Sequence, residues 1–268
     1  MTEDRHSLFD LGGRVAMVTG GGSGLGREYC DILAEFGADI VCPDTYMDRA
    51  KETCEILKKY GHRTLPIEVD VSQYDQVQAM FKKVEDSWGR LDVLITNAGI
   101  TTPATVLDQL EVADWHRVLN VNLHGVFYCM KEGIKIMMKQ KKGSIINISS
   151  VAGANAMPPD ITTIAYIASK AGVIGLTKQG AVEYGPLGIR VNCIALGFHY
   201  PTNLGADAGI ERTEEERKAH RQRLYLRTPM RRVADVKEAN GVVLYLASDA
   251  SSFVTGATIA HDGGWTCV

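Results

Sequence analysis

Short apolar segments rich in β-branched residues alternate along this chain with longer stretches in which apolar positions recur every three or four residues. The short segments have the composition of buried strands, and the longer ones have the periodicity of amphipathic helices. Because regular alternation of strands and helices favours parallel pairing, the pattern predicts an α/β fold with a doubly wound parallel sheet flanked by helices. The predicted strands are RVAMVT (14–19), ADIVC (38–42), TLPIEV (64–69), LDVLIT (91–96), GSIINIS (143–149) and IRVNCIA (189–195).

The two longest predicted helices span residues 114–138 and 164–184. No linker, repeat or low-complexity tract interrupts the pattern, so residues 1–268 are predicted to form a single domain. Residues 197–232 follow the end of a predicted strand, which is where open α/β sheets bind ligands, and we predict a substrate lid there. The charged run ERTEEERKAHRQR in this segment can also be interpreted as a solvated helix with pairs such as Glu214 and Lys218.

Composition excludes several classes of function. The 268 residues have a formal charge of -3, and the only basic block, KQKK at 139–142, precedes Gly143 as the cationic end of a helix would. Nucleic acid is therefore not an expected partner. The acidic N-terminus and the lack of a long apolar run predict a soluble, cytoplasmic protein without a membrane partner. Neither a disulfide framework nor a metal site is predicted, because these cysteines lack the necessary spacing: Cys30, Cys42, Cys54, Cys129, Cys193 and Cys267.

A glycine-rich turn, TGGGSGLG at residues 19–26, follows the first predicted strand and opens a predicted helix. Glycines let the backbone approach a pyrophosphate, and the helix N-terminus offers unpaired N–H groups to it. A phosphate loop of the nucleoside triphosphatase type is excluded, because Arg27 and Glu28 stand where Lys and Ser or Thr are required. The context therefore predicts a dinucleotide site.

Asp44, at the end of the second predicted strand, favours NAD as the dinucleotide. Its carboxylate can accept hydrogen bonds from both adenosine ribose hydroxyls and would repel a 2′-phosphate. Ser23 in the glycine turn and Thr45 after Asp44 leave no arginine placed for NADP. The competing interpretation is that Asp44 only forms a turn after Pro43.

Tyr166 and Lys170 lie four residues apart in AYIASK and share one face of a predicted helix. A cation held beside a phenol favours the phenolate, so Lys170 is expected to lower the pKa of Tyr166 toward the range of a general acid or base. Pairs with this spacing also occur by chance, so the rest of the sequence decides between the two interpretations.

The motifs TGGGSGLG, TNAG, VNLHGVF, NISSVAG, YIASK and HDGGW occur in this order, and with them the chain resembles the classical short-chain dehydrogenase/reductase family over nearly its whole length. The resemblance implies a Rossmann fold and a catalytic tetrad of Asn122, Ser150, Tyr166 and Lys170. In that family the tyrosine exchanges the proton, the serine orients the substrate oxygen, the lysine holds the nicotinamide ribose, and the asparagine supports a proton-relay water. Alternation along the strand leaves Ser149 open as the serine, whereas the family pattern favours Ser150.

The resemblance also implies a set of cofactor-binding positions beyond Asp44, Tyr166 and Lys170. Four departures from the family pattern are Leu196 in place of a proline, one extra residue in FHYPT, Thr96 in place of an asparagine, and a longer interval than usual between Ser150 and Tyr166. The implied positions are Gly20, Ser23, Leu25 and Gly26 in the glycine turn, Asp70 and Val71 beside the adenine, Asn97, Ala98 and Gly99 beside the ribose, and Gly197, His199 and Thr202 beside the carboxamide.

The expected reaction is hydride transfer between NAD(H) and a secondary alcohol or its ketone. A cyclic or aryl-substituted substrate is favoured, because the loop from Ala154 to Ile164 beside the tyrosine is mostly apolar, with Ala156, Met157, Pro158, Pro159 and Ile161. A sugar acid or polyol is a competing substrate class, which the lid arginines Arg221, Arg223 and Arg227 could hold. Two competing functions are a 3-oxoacyl thioester reductase, which would normally use NADPH and a basic patch, and a non-enzymatic NAD-sensing protein.

A homotetramer is the expected assembly. The resemblance implies it, and the two long helices have more apolar residues than one sheet face needs. These residues are Val126, Phe127, Ile134, Met137, Ile174 and Leu176.

Overall fold

The structure is a computed structural model that describes residues 5–158, 160–202, 204 and 213–268. Seven parallel strands form the main sheet in the order β3-β2-β1-β4-β5-β6-β9, and a separate two-stranded sheet pairs β7 with β8. The strands are β1 Val15–Val18, β2 Asp39–Asp44, β3 Thr64–Glu68, β4 Val93–Thr96, β5 Gly143–Ser150, β6 Ile189–Leu196, β7 His199–Tyr200, β8 Ala234–Asp235 and β9 Thr258–His261. The strand order reverses between β1 and β4, which creates the crevice where such sheets bind ligands.

Helices cover both faces of the main sheet. Successive residues of β1 point to opposite faces, so that Ala16 and Val18 enter one apolar cluster while Val15 and Met17 enter the other. The first cluster includes residues of α1, α2 and α9, and the second includes residues of α3, α5 and α7. The helices are α1 Gly24–Glu35, α2 Met47–Leu57, α3 Tyr74–Trp88, α4 Val112–Leu119, α5 Gly125–Gln140, α6 Val151–Ala154, α7 Ile164–Tyr184, α8 Glu214–Arg227 and α9 Asn240–Ala247.

The predicted doubly wound parallel sheet is confirmed, and each of the six predicted strands lies in it. Helix α7 has the predicted bounds of 164–184. The other long helix differs from the prediction, because a π-helical turn over Asn120–His124 separates α4 from α5. The sequence did not indicate β9, whose four residues are alternately exposed and partly buried at the edge of the sheet.

A buried chain of polar side chains connects β4, β5 and α7. Thr96 donates to the Asn147 side-chain oxygen at 2.7 Å, and the Asn147 amide donates to Thr177 at 2.9 Å. The Thr177 hydroxyl in turn donates a hydrogen bond to the Val173 carbonyl at 2.8 Å. Since every member has a partner, the network fixes the helix against the sheet without leaving a buried polar group unpaired. Thr96, which departs from the family pattern, therefore has an architectural contact.

The predicted lid begins with β7. This strand pairs with β8, which lies just beyond the predicted end of the lid. Within it, α8 begins at a capping box formed by Thr213 and Glu216. Residues 203 and 205–212 lie outside the described residues, so a lid over 197–232 stays a prediction. Among the helices that the structure describes, none has the length and apolar character needed to cross a membrane.

Candidate active site

The glycine turn lies at the carboxyl end of β1, at the point where the strand order reverses. Gly20 has a φ of +64°, and a Cβ on Gly26 would lie 2.0 Å from the Gly20 carbonyl oxygen. Larger residues are therefore excluded from both positions. Ser23 is the N-cap of α1 but its side chain makes no capping hydrogen bond. The first-turn N–H groups of this helix lack a side-chain acceptor from the cap, as an anion-binding turn requires.

Hydrogen bonds attach this turn to the end of β4. The Thr19 hydroxyl oxygen accepts from the backbone N–H groups of Asn97, at 2.9 Å, and Ala98, at 3.1 Å. The Asn97 amide donates to the Thr19 carbonyl at 2.9 Å and to the Gly20 carbonyl at 3.3 Å. The predicted cofactor positions on the two loops are thus neighbours.

The remaining adenosine-side positions are also ordered by local contacts. Asp70 accepts from the Ser72 N–H at 2.9 Å, and buried Val71 packs against Gly125 at the start of α5. Leu25 is partly buried against the first apolar cluster. Leu25 follows β1, and Asp70 and Val71 follow β3, so these positions lie beyond the carboxyl ends of strands, and their role in binding a dinucleotide stays a prediction.

Asp44 is almost fully buried at the end of β2. One carboxylate oxygen accepts from the Gly22 N–H at 2.9 Å, and the other accepts from the Tyr46 N–H at 3.0 Å. Asp44 thus stabilises the local turn, as the competing interpretation holds, while remaining beside the glycine loop. Each oxygen keeps a further lone pair for a ribose hydroxyl, so the two roles are compatible.

Arg49 lies near this position, and the prediction that no arginine is placed for NADP stays a prediction. A Cβ on Gly22 would lie 2.6 Å from the Arg49 Cβ and 2.7 Å from Asp44. The Arg49 guanidinium carbon lies 4.3 Å from the centre of the Tyr46 ring. Sequence reasoning missed this arginine, because it lies in the first turn of α2 rather than directly after Asp44. Arg27 also reaches the loop, where it donates to the Gly22 carbonyl at 2.7 Å and is ion-paired with Glu52.

Ser150, Tyr166 and Lys170 converge at the carboxyl end of β5. Ser150 is the last residue of that strand, and its hydroxyl oxygen accepts from the Ala152 N–H at 3.2 Å as the N-cap of α6. Lys170 is 4 % exposed and donates to the Ile148 carbonyl at 2.9 Å. Ser149 is buried and donates instead to the Lys170 carbonyl at 2.8 Å. Of the two serines, Ser150 is the one whose hydroxyl lies beside the Tyr166 phenol.

Asn122 lies fully buried in the π-helical turn between α4 and α5. Its side-chain oxygen accepts from the Ile100 N–H at 2.8 Å, and its amide donates to the Ile100 carbonyl at 2.9 Å. The amide also reaches Ser169 at 3.3 Å, and Ser169 donates to the Tyr166 carbonyl at 2.7 Å. Asn122 therefore joins the loop after β4 to the helix of the tyrosine. Sequence reasoning missed Ser169, which lies inside the YIASK motif.

Gly99 lies between these groups and the glycine turn. A Cβ on Gly99 would lie 3.4 Å from the Asn122 side-chain oxygen and 3.6 Å from the Lys170 Nζ. Gly99, a predicted dinucleotide position, is therefore a neighbour of two residues of the predicted tetrad.

The pKa of Tyr166 differs in direction from the expectation. Burial raises the pKa of Tyr166 from 10.0 to about 12, and the hydrogen bond with Ser150 opposes this rise. Lys170 does not lower it, because its Nζ lies 5.6 Å from the ring centre and donates to a backbone carbonyl. Burial also lowers the pKa of Lys170 to about 8. At neutral pH this site holds a protonated phenol beside a charged ammonium, an arrangement suited to proton donation.

The carboxamide-side positions follow β6. Gly197 is required there, since a Cβ would lie 2.7 Å from the Asp262 Cα. His199 uses both ring nitrogens within the chain, with Nδ1 3.2 Å from the Gly197 carbonyl and Nε2 3.1 Å from His261 Nδ1. Thr202 is partly buried two residues after β7. His199 therefore contacts the proposed cofactor loop, rather than leaving its ring nitrogens available to a carboxamide.

An apolar wall adjoins Ser150. Phe198 and Trp265 pack edge to face with ring centres 4.8 Å apart. The sequence placed Met157 and Ile161 beside the tyrosine, but it did not indicate Trp265, which reaches the wall from the C-terminus. Pro159 lies outside the described residues. The members of the wall are Val151, Met157, Ile161, Phe198, Leu224, Val233 and Trp265.

Two of the three lid arginines form ion pairs on the protein surface. Arg223 pairs with Asp160 at 3.3 Å, and Arg221 pairs with Glu214 at 3.0 Å. Arg227 is exposed at the end of α8.

Comparison with known proteins agrees with this geometry. Residues 20–266 match the sequence model of a family described as enoyl-(acyl carrier protein) reductase. The chain is 39% identical to a cis-4-hydroxycyclohexanecarboxylate dehydrogenase of Sinomonas cyclohexanicum over 95% of this chain and 97% of that protein. It is 40% identical to the short chain dehydrogenase/reductase astE of Aspergillus oryzae over 97% of both chains.

A solved structure agrees on the fold. The gluconate 5-dehydrogenase of Burkholderia cenocepacia, determined in complex with NADP and tartrate, superposes with a TM-score of 0.88 at 35% identity, covering 98% of both chains. The match to the family model extends from Gly20 in the glycine turn to Thr266 near the C-terminus. The chain belongs to the short-chain dehydrogenase/reductase family of oxidoreductases.

Proposed function

We propose that the chain catalyses reversible hydride transfer between NAD(H) and a cyclic or aryl-substituted secondary alcohol or its ketone. The observation that supports this most directly is the convergence of Ser150, Tyr166 and buried Lys170 beside an apolar wall. Bound at the glycine turn, the nicotinamide would supply the acceptor or donor of the hydride.

In the proposed oxidation, the phenolate form of Tyr166 takes the proton of the substrate hydroxyl while Ser150 donates a hydrogen bond to the same oxygen. Lys170 contributes positive charge close to the phenol, and Asn122 keeps the loop after β4 in register with α7. In the reverse direction, Tyr166 returns the proton to the developing alkoxide. Since burial raises the pKa of Tyr166 to about 12, the residue is protonated at neutral pH and is ready for ketone reduction.

Replacing Tyr166 with Phe tests the proton transfer. Tyr166→Phe should lower kcat by about 10²-fold or more, because positioned proton transfer contributes about 10²- to 10⁴-fold. NADH binding, measured by fluorescence, should stay largely intact, since only one oxygen is removed. Tyr184→Phe, at the end of the same helix, is the matched control. Retention of more than about a tenth of the wild-type rate would require another acid or base.

The proposed role of Lys170 has a consequence for stability. Burial lowers the pKa of Lys170 from 10.5 to about 8, so between these values the unfolded chain binds a proton that the folded chain does not. The free energy of unfolding therefore rises with pH across this window. Below about pH 8 the folded protein holds a buried ammonium, and that cost is fully present.

A comparison of wild type with Lys170→Met isolates this contribution. From pH 7.5 to 10.5, we expect the unfolding free energy of wild type to gain up to about 3 kcal/mol relative to the variant. Urea denaturation at several pH values measures the difference. Lys178→Met, at an exposed position of the same helix, gives the baseline. Parallel pH profiles for wild type and Lys170→Met would contradict the expected linkage.

Asp44 supports NAD over NADP, whereas Arg49 beside the same glycine favours a 2′-phosphate. We propose that Asp44 prevails, because its nearly buried carboxylate would face the phosphate directly. The similar gluconate 5-dehydrogenase was determined with NADP, so the relatives alone do not decide the cofactor.

Kinetics with both cofactors provide the test. Asp44→Ala should shift the ratio of kcat/KM for NAD over NADP toward NADP by about tenfold or more. The Asp44→Ala, Arg49→Ala double variant should lose the gain with NADP, while Arg49→Ala alone should leave NAD kinetics nearly unchanged. Wild-type efficiency that is equal or better with NADPH would overturn the proposal.

The apolar wall supports the choice of substrate. Each substrate CH₂ buried against such a wall contributes about 0.8 kcal/mol. The similarity to a dehydrogenase named for a hydroxycyclohexane substrate supports a cyclic alcohol. The surface ion pairs of Arg221 and Arg223 disfavour a carboxylate clamp for sugar acids. A thioester reductase is the second candidate, because the matching family model is described by an acyl-carrier-protein substrate.

A substrate panel discriminates these candidates. We expect kcat/KM for cyclohexanol-type and aryl alcohols to exceed that for gluconate, and Leu224→Ala to lower it more than Arg227→Ala does. A clear preference for gluconate that is lost in Arg227→Ala would identify a sugar-acid dehydrogenase. A preference for 3-oxoacyl thioesters with NADPH would identify a thioester reductase. Tight NADH binding without turnover across the panel would favour an NAD-sensing protein.

For the assembly we propose a homotetramer, with support from fewer residues than the sequence suggested. Val126, Ile134 and Met137 lie in the core of the chain itself and are not available to a partner subunit. Phe127 is 45% exposed, and Ile174 and Leu176 are partly buried. Free cysteines, with five of the six buried, are consistent with the cytoplasm that we propose as the location.

A further inference from the structure

Two imidazole rings meet where the predicted lid leaves the sheet. His199 is the first residue of β7, and His261 is the last residue of β9. The rings are nearly parallel, with centres 5.2 Å apart, and His199 Nε2 lies 3.1 Å from His261 Nδ1. The contact therefore connects the first strand of the lid segment with the last strand of the sheet.

Backbone hydrogen bonds converge on the same point. The Gly197 N–H donates to the His261 carbonyl at 3.0 Å, and the Ala234 N–H donates to the Phe198 carbonyl at 2.9 Å. His199 Nδ1 reaches the Gly197 carbonyl at 3.2 Å. The histidine pair thus restrains Gly197 and both ends of the lid segment, since β7 opens the segment and β8 follows it.

The contacts determine where the protons lie. A carbonyl oxygen only accepts, so His199 must have its proton on Nδ1, and its Nε2 is then an acceptor in the neutral ring. His261 must therefore donate from Nδ1. One added proton is accommodated if it sits on His199 Nε2 and His261 shifts its own proton to Nε2. A second added proton would place an N–H group on both facing nitrogens and two positive charges across the 3.1 Å contact.

We propose that His199 and His261 are a pair of positioning residues that hold Gly197 and β7 against β9, and that the pair tolerates one added proton but separates when both rings are charged. The link to catalysis rests on the proposed function, in which Gly197 adjoins the nicotinamide. The pairing itself does not rest on it.

The surrounding charges do not remove this constraint. Burial, the largest effect, and the charge of His261 lower the pKa of His199, whereas the hydrogen bond with the Gly197 carbonyl and the charges of Glu238 and Asp235 oppose this shift. Glu238 forms an ion pair with Arg232, and this pair together with the Asp235 N–H lowers the pKa of Glu238 to about 2. Asp262, next to His261, already accepts hydrogen bonds from Gly264 and Thr266. The nearby carboxylates thus keep partners across the pH range in which histidine titrates.

The direct test is an NMR titration of the full chain labelled at histidine Cε1, recorded without cofactor from pH 5 to 8. We expect the His199 signal to report two coupled protonation steps, with the second step at lower pH than the first. In His261→Gln, His199 should titrate in a single step. An unchanged His199 titration in that variant would overturn the pairing, whatever the catalytic activity.

Kinetics test the positioning role. Between pH 7.5 and a pH below the second protonation step, KM for NAD should rise about fivefold or more in wild type, since proton and cofactor binding are coupled through Gly197. His261→Gln keeps a hydrogen-bonding amide but no charge, so its KM should stay nearly flat, while His261→Val should have a raised KM at both pH values. The kcat profile, which follows Tyr166, should be the same in wild type and His261→Gln.

The exposed His116 provides the matched control, and His116→Gln should reproduce the wild-type KM profile. If His261→Gln retains the wild-type rise in KM, the positioning role is wrong even where the NMR titration supports the pair. If the chain shows no turnover with any alcohol, the proposed function fails, and the same comparison is made on the Kd for NADH.

Discussion

The register of helix α7 against strand β5 is the constraint on which the site depends. Three hydrogen bonds set this register: Asn147 to Thr177, Ser149 to the Lys170 carbonyl, and Lys170 to the Ile148 carbonyl. Their donors and acceptors come from consecutive residues of the strand, so the helix cannot slide by a turn without breaking all three. Because Ser150 continues the same strand and Tyr166 lies one turn before Lys170, the register brings hydroxyl and phenol together. Asn122 joins this arrangement to the loop after β4.

Much of the fold was predictable because the signals were local. Six strands and α7 followed from apolar runs and helical periodicity, which depend on neighbouring residues only. The glycine turn was predictable for the same reason, since its spacing and its place between strand and helix lie in one short segment. Strand β9 was missed because an edge strand of four partly exposed residues has neither the length nor the apolar content of its neighbours.

The features that sequence reasoning missed involve residues distant along the chain or a balance of opposing effects. Trp265 joins the apolar wall, and His261 meets His199, only because β9 lies beside β6. Arg49 reaches the glycine turn from within α2. Whether the pKa of Tyr166 is raised or lowered depends on whether burial or the nearby ammonium has the larger effect. The spacing of the two residues in the sequence shows neither how deeply the phenol is buried nor which group accepts the lysine hydrogen bond. The apolar residues of α5 suggest a subunit interface by their number, although most of them pack inside the chain.

The π-helical turn at Asn120–His124 changes the rotation of α4 relative to α5 about their common helix axis. An α-helix advances by about 100° per residue, so a single additional residue rotates everything before it relative to everything after it. Helix α5 turns its apolar side to the sheet, while Asn122 points to Ile100 and Ser169. A deletion of one residue in this turn would restore regular α-helical geometry. It would also rotate α4 relative to α5, and this rotation would separate the Asn122 side chain from Ile100 and Ser169. Irregularity of the backbone is therefore the means by which one continuous helix serves both the hydrophobic interior and the polar site.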